Sequence, residues 1–108
     1  MEDVIKRAER AAFIRSNGTI MRTLNVMDKA YKSLDVVRSV VADDGVSEYD
    51  FVKSINFLAG DGYIRIRDIS AHKIVEFSDA TYKECEATLT PLGTRVLMGL
   101  KSDPAIEV

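Results

Sequence analysis

The chain has few of the residues that build redox, metal and membrane sites. Its 108 residues include one cysteine, one histidine, two prolines and no tryptophan. Because Cys85 has no second cysteine to pair with inside the chain, we expect a reducing, cytoplasmic compartment. No apolar run is long enough to cross a membrane, and the charged N-terminus lacks the apolar core of a signal peptide.

The same scarcity argues against catalysis. His72 has no companions at metal-ligand spacing, so we read it as an exposed loop residue. Cys85 fits a small core residue better than a nucleophile. The turn at residues 60–62 is too short to cradle a phosphate. We therefore expect neither an enzyme, a metal site nor a cofactor.

Charge is distributed unevenly along a chain of ordinary globular composition. The formal net charge is −2, with 46% hydrophobic and 30% charged residues. Residues 1–32 carry seven Lys/Arg and four Asp/Glu, whereas residues 33–62 carry two and six. A protein that depends on DNA contacts is more often basic, so this balance speaks against extensive phosphate binding.

Helical periodicity begins at the N-terminus. One stripe is formed by Val4, Ile5, Ala8, Ala11 and Ala12. We expect a helix over residues 1–16 that contributes to a homodimer, ended by a break at residues 16–18. Alternatively, Gly18 lies in a continuous helix at a cost of about 1 kcal/mol. The next stripe comprises Ile20, Met21, Leu24, Met27 and Tyr31.

The following helix is predicted from capping signals rather than from propensity. Ser33 is a suitable N-cap, and residues 43–45, Asp-Asp-Gly, are a stop signal. We expect inward-facing valines at positions 36, 37 and 40, although their propensity favours a strand.

A second capped helix is predicted over residues 47–59. Ser47 is its N-cap, and Glu48 and Asp50 suit the positive end of the helix dipole. The expected buried face comprises Phe51, Val52, Ile55, Leu58 and Ala59. The expected outer face carries Tyr49, Asp50, Lys53, Asn56 and Phe57. We expect Gly60 to end the helix in a left-handed conformation and Gly62 to allow the turn that follows.

From Tyr63 the hydrophobic period changes to two. Residues 63–68 and about 84–90 are expected to pair as antiparallel strands, with a possible short strand in "KIVEF" between them. Thr90 and Pro91 begin a last helix whose stripe is Leu92, Val96 and Leu100. Residues 102–108 are expected to form a tail.

Two motifs carry a family resemblance over roughly residues 17–104. "INFLAGDGYIRI" is close to a hydrophobic-Leu-x-x-x-Gly-Tyr-Ile pattern, and "ATLTPLGTRVLMG" to Leu-Thr-x-x-Gly-x-x-x-Leu-x-Gly. Both resemble small winged-helix proteins of bacteriophages and Mu-like prophages. The resemblance implies an α+β winged helix-turn-helix over residues 17–101, a DNA-binding regulator or accessory factor, and a bacterial or phage-infected host cell.

Two functions follow as hypotheses. In the first, helix 47–59 enters the major groove of double-stranded DNA and the hairpin contacts its backbone. The candidate DNA-binding residues are Tyr49, Lys53, Asn56, Arg65, Arg67 and Lys73. In the second, the fold is a protein-interaction or dimerisation module without DNA binding. An exposed Phe57 beside Tyr49 would favour it, although Phe57 could instead pack under the hairpin.

Overall fold

Four α-helices surround a small antiparallel sheet. The computed structural model describes residues 3–26, 30–76 and 82–108. Within these ranges the helices are α1 (Val4–Val26), α2 (Leu34–Ala42), α3 (Glu48–Gly60) and α4 (Pro91–Leu97). The strands are β1 (Lys32–Ser33), β2 (Ile64–Asp68) and β3 (Cys85–Leu89), and β3 lies between the other two. The α+β class predicted from the sequence is confirmed.

Three helices begin at the caps that the sequence predicts. The hydroxyls of Ser33, Ser47 and Thr90 each accept a hydrogen bond from the backbone N–H three residues later. Pro91 occupies the first turn of α4, where its missing N–H costs nothing. These starts were predictable because a cap depends on neighbouring residues alone.

The hairpin pairing is also confirmed. Strands β2 and β3 are antiparallel, with Ile66 opposite Ala87. Strand β1 was not predicted: it has two residues, and Lys32 pairs with Ala87 from the other side. Of the "KIVEF" segment, Ile74 forms an isolated bridge to Arg67, while Phe77 lies outside the described residues.

The core lies where α1, α2 and α3 meet the sheet. Phe51, Ile55 and Leu58 of α3 are fully buried, as predicted. On α2, the buried positions are Leu34, Val37 and Val41.

The prediction that Val36 and Val40 face inward is wrong, since they are 48% and 43% exposed. The stripe that packs on the core runs through every third or fourth residue from Leu34, which turns these two valines outward.

The course of α1 contradicts the predicted break and confirms the alternative, a continuous helix through Gly18. The helix runs without interruption through Gly18, where the C-terminal segment crosses it. A Cβ at Gly18 would lie 1.8 Å from the backbone oxygen of Glu107. Glycine is therefore required here for close approach of two backbones rather than for a turn.

The residues predicted to form a tail are packed on α1. Asn17 Nδ2 donates to the Ala105 carbonyl oxygen at 2.9 Å, and an Arg22 guanidinium nitrogen donates to that of Glu107 at 2.7 Å. Ile106 is buried. We call residues 102–108 the C-terminal strap.

Two expected helix ends differ in detail. Gly60 is the last residue of α3, and Gly62, with φ of 79°, takes the left-handed conformation instead. Helix α4 stops at Leu97, so Leu100 is exposed and does not extend its stripe. Among the described residues, no helix is both long and apolar enough to cross a membrane.

We expect Gly18→Ala to destabilise the protein although alanine is the better helix former. Overpacking against the strap costs about 1–3 kcal/mol, more than the gain of roughly 1 kcal/mol in helix propensity. Gly60→Ala is the matched control: it is also helical, and its Cβ meets nothing within 4 Å. Because Gly60 is exposed and is the last residue of α3, that variant should stay within about 0.5 kcal/mol of wild type. Urea unfolding measures the free energy of unfolding of both variants. Equal changes of the same sign would show that the strap does not cross α1 at Gly18.

The strap is also fixed by Tyr63, whose hydroxyl donates to the Asp103 carboxylate. This hydrogen bond, burial and the charge of Asp103 raise the pKa of Tyr63 from 10 to about 12. Because the folded-state pKa is the higher one, this stabilisation is complete below pH 10 and is lost as the pH rises towards 12. The difference in free energy of unfolding between wild type and Tyr63→Phe, measured in urea, should therefore shrink as the pH rises from 10 towards 12. A difference that stays constant with pH would contradict this prediction.

Candidate nucleic-acid interface

The outer face of α3 presents a line of side chains to solvent. Burial of Phe51 and Ile55 fixes the rotation of the helix, and this turns Tyr49, Lys53 and Asn56 outward. Tyr49 is 75% exposed. These three candidates therefore lie on one surface, at the spacing of successive helical turns.

The acidic start of α3 is partly compensated. Glu48 forms an ion pair with Arg38 of α2, with 3.3 Å between Oε2 and a guanidinium nitrogen. The backbone N–H of Asp50 donates to the Ser47 hydroxyl, so the cap is formed as predicted. An exposed pair of this kind adds little stability, but it places a positive charge beside Glu48.

Two of the exposed residues also make contacts within the protein. The Lys53 ammonium lies 5.4 Å from the centroid of the Phe13 ring on α1. Asn56 Nδ2 donates to the Val52 carbonyl oxygen of its own helix at 3.1 Å. Both contacts are at the surface, so another hydrogen-bonding or charged group could replace them.

A cleft continues this surface from α3 across β2 to α4. Its volume is about 810 Å³, and Asn56, Arg65 and Arg95 line it together with Ile74 and Glu76. Arg65 was predicted as a site residue, whereas Arg95 was missed. The sequence shows that Arg95 precedes the core residue Val96. It does not show which side chains of α4 face α3, because that depends on tertiary packing.

Arg67 is held by the protein itself. Its Nε forms an ion pair with Glu86 across the β2–β3 pairing, and its guanidinium carbon lies 3.7 Å from the centroid of the Tyr31 ring. Both side chains of the ion pair are partly buried. This arrangement gives Arg67 a structural role in the outer layer of the sheet, in contrast to exposed Arg65.

After β2 the chain turns back at residues 69–72, and His72 in this turn has a left-handed φ of 55° and is exposed as expected. Lys73 is exposed beside it, and its carbonyl oxygen accepts a hydrogen bond from the Asp68 N–H at 2.9 Å. Lys73 thus lies beyond the end of β2, and Arg65 lies near its start.

Phe57 is not an exposed aromatic. It is half-buried, and its ring packs edge-to-face on Phe13, with 5.0 Å between centroids. The centroid of the Tyr63 ring lies 6.2 Å from that of Phe57. Phe57 therefore joins α3 to α1. Of the two aromatic residues whose exposure would favour an interaction module, only Tyr49 is largely exposed.

The thiol of Cys85 lies in the core. Desolvation, followed by the charges of Asp68 and Glu84, raises the pKa of this thiol. A thiol kept protonated in this way is a poor nucleophile. In the part of the chain that the structure describes, no three His, Cys, Asp or Glu side chains are grouped to hold a metal ion.

No family model, no curated protein and no solved structure matches this chain. A functional assignment must therefore come from its own geometry: an exposed face on α3, the cleft beside it, and the hairpin.

The two neighbouring arginines should respond differently to truncation. Arg67→Ala leaves Glu86 without its partner and removes the contact with Tyr31, so we expect a loss of about 1–3 kcal/mol. Arg65→Ala changes an exposed side chain and should stay within about 0.5 kcal/mol of wild type. Thermal or urea unfolding compares them. Equal stability of the two variants would show that the Arg67 contacts contribute nothing.

Proposed function

We propose that this chain is a winged-helix protein that binds double-stranded DNA, of the kind that serves phages and prophages as a regulator or accessory factor. The order α1–β1–α2–α3–β2–β3, with three paired strands and a hairpin after α3, supports this assignment. Strand β1 adds support beyond the sequence motifs, because it places a strand between the first two helices.

In this proposal α3 is the recognition helix. An α-helix with its side chains is about 10–12 Å wide, which suits a major groove about 12 Å wide. Asn56 recognises a base through its side-chain amide, since asparagine can pair with two atoms of an adenine edge. Tyr49 and Lys53 reach bases or phosphates along the same face.

One observation carries the proposal: Asn56 shares a cleft with two arginines from other elements. A base-reading residue needs flanking phosphate contacts that fix its position on the duplex. Arg65 and Arg95 meet that need, and Lys73 extends the contact along the hairpin. Arg67 contributes by holding the sheet in shape.

A protein-interaction module without DNA binding is the second candidate. The exposure of Tyr49 and of the apolar residues at the start of α1 favours it. Only the DNA-binding candidate uses Asn56, Arg65 and Arg95, so the two candidates can be separated by substitution of these residues.

The test begins with selection from a random duplex pool at low salt, which should enrich one sequence. For that sequence, Asn56→Ala should reduce discrimination at one base pair by about 1–3 kcal/mol. Arg65→Ala and Arg95→Ala should weaken binding to all sequences alike. Each should also make the dependence of log K on log salt shallower by about 0.9, the value for one lost phosphate contact.

Arg15→Ala is the charge-matched control, because Arg15 is exposed in a separate groove between α1 and α2. It should leave the salt dependence unchanged. If folded protein enriches no sequence, or if Arg15→Ala weakens binding as much as Arg65→Ala does, the proposed interface is wrong.

A further inference from the structure

The short helix α4 carries one of the two arginines of the cleft, but it cannot hold its own position. It has seven residues, and one of them, Gly93, is a poor helix former. Isolated helices shorter than about 12 residues are only marginally stable in water, even with favourable sequences. The place of Arg95 beside Asn56 in the cleft is therefore set by the contacts that α4 makes with the rest of the protein.

Thr90 joins the start of α4 to the turn that follows α3. Its backbone N–H donates to the Tyr63 carbonyl oxygen at 3.0 Å, and its hydroxyl donates to the Gly62 carbonyl oxygen at 2.5 Å. The same hydroxyl accepts the Gly93 N–H at 3.1 Å, which is the capping hydrogen bond of α4. One side chain thus caps α4 and fixes it to the residues that follow α3.

Gly93 allows this junction to close. A Cβ at this position would lie 2.1 Å from the Tyr63 carbonyl oxygen, far inside van der Waals contact. Because the obstacle is backbone, a change of rotamer cannot relieve it, and a side chain here would push α4 away from the turn. The Thr-x-x-Gly spacing at residues 90–93 therefore combines a hydroxyl that holds the turn with a glycine that lets the helix approach it.

The turn is in turn fixed to α3. The Gly62 N–H donates to the Ala59 carbonyl oxygen at 3.2 Å, and the Tyr63 N–H donates to the Leu58 carbonyl oxygen at 2.9 Å. The two oxygens that receive Thr90 thus belong to residues that close the last turn of α3. A continuous set of hydrogen bonds therefore connects α4 to the helix that carries Asn56.

The side chain of Arg95 depends on this junction for its location. Among the described residues, none forms a hydrogen bond or an ion pair with its guanidinium group. Arg67, in contrast, is held by its ion pair with Glu86. Where Arg95 lies relative to the cleft is therefore decided by the backbone of α4.

We propose that Thr90 and Gly93 are positioning residues, which fix the location of Arg95 relative to Asn56. The consequence for binding rests on the proposed function, in which the base-reading amide and the phosphate-binding guanidinium must meet the duplex together. Movement of α4 away from the turn would leave Asn56 in place and remove the phosphate contact of Arg95.

A nitroxide spin label on Arg95→Cys measures this location without DNA. The native Cys85 is buried, so labelling should be confined to the new thiol. The label should broaden the amide NMR signals of the last turn of α3 and of Asn56. Adding Thr90→Val, which keeps the shape of the side chain but removes the hydroxyl, should weaken this broadening. Adding Thr90→Ser, which keeps the hydroxyl, should preserve it.

Gly93→Ala in the labelled protein should weaken the broadening in the same way. Gly60→Ala is its matched control, because it adds a methyl group at the same cleft with no atom within 4 Å. If circular dichroism shows that Gly93→Ala does not fold, the comparison of the two Thr90 variants decides. Equal broadening with Thr90→Val and Thr90→Ser would overturn the proposal.

DNA binding then tests what the positioning does. On the sequence that the wild type enriches, Thr90→Val should make the dependence of log K on log salt shallower by about 0.9, as Arg95→Ala does. In the Arg95→Ala protein, Thr90→Val should have no further effect, because the contact that it positions is already absent. A further loss of the same size in that background would also overturn the positioning role.

The two measurements separate this inference from the proposed function. Protein that shows the expected broadening but enriches no DNA sequence would refute DNA binding and support the positioning of Arg95. Protein that binds DNA, with equal broadening in both Thr90 variants, would refute the positioning alone.

Discussion

The packing of α1 on α3 is the contact on which the rest of the structure depends. At its centre two small polar residues are buried: Ser54 donates a hydrogen bond to the Ser16 hydroxyl at 2.7 Å. Next to them, Phe13 packs on Phe57. This contact sets the rotation of α3, and the rotation decides which residues reach solvent. It also sets the direction of α1, whose first half extends beyond the core with its apolar side outward.

The overall charge of the chain and the charge of its candidate interface are different quantities. Residues 33–62 are strongly acidic as a sequence, yet Glu48 is paired with Arg38. The cleft is lined by two arginines, Arg65 and Arg95, and by one acidic residue, Glu76. Since charges more than about 8 Å apart are largely screened in physiological salt, the local arrangement governs which ligand approaches. The weak overall charge still limits nonspecific affinity, so any DNA binding must depend on a few well-placed contacts.

Features set by neighbouring residues were predictable from the sequence, whereas those set by distant contacts were not. Caps at Ser33, Ser47 and Thr90 depend on the next three residues. In contrast, β1 exists because two residues pair with β3, more than fifty positions away. Gly18 reads locally as a helix breaker, but the strap that crosses it comes from the other end of the chain. The sequence pattern places Arg67 and Phe57 on exposed faces. In the structure Arg67 contacts Tyr31 and Glu86, and Phe57 packs on Phe13, so both side chains are partly buried.

The exposed face of α3 borders two other parts of the molecule. Tyr49, in the first turn, lines a groove beside α1, whereas Asn56 lines the cleft with Arg65 and Arg95. A single copy offers few phosphate contacts and one strong candidate for base recognition. Under the proposed function, the affinity of one copy for DNA is therefore limited by its weak charge, and sequence preference must come mainly from Asn56.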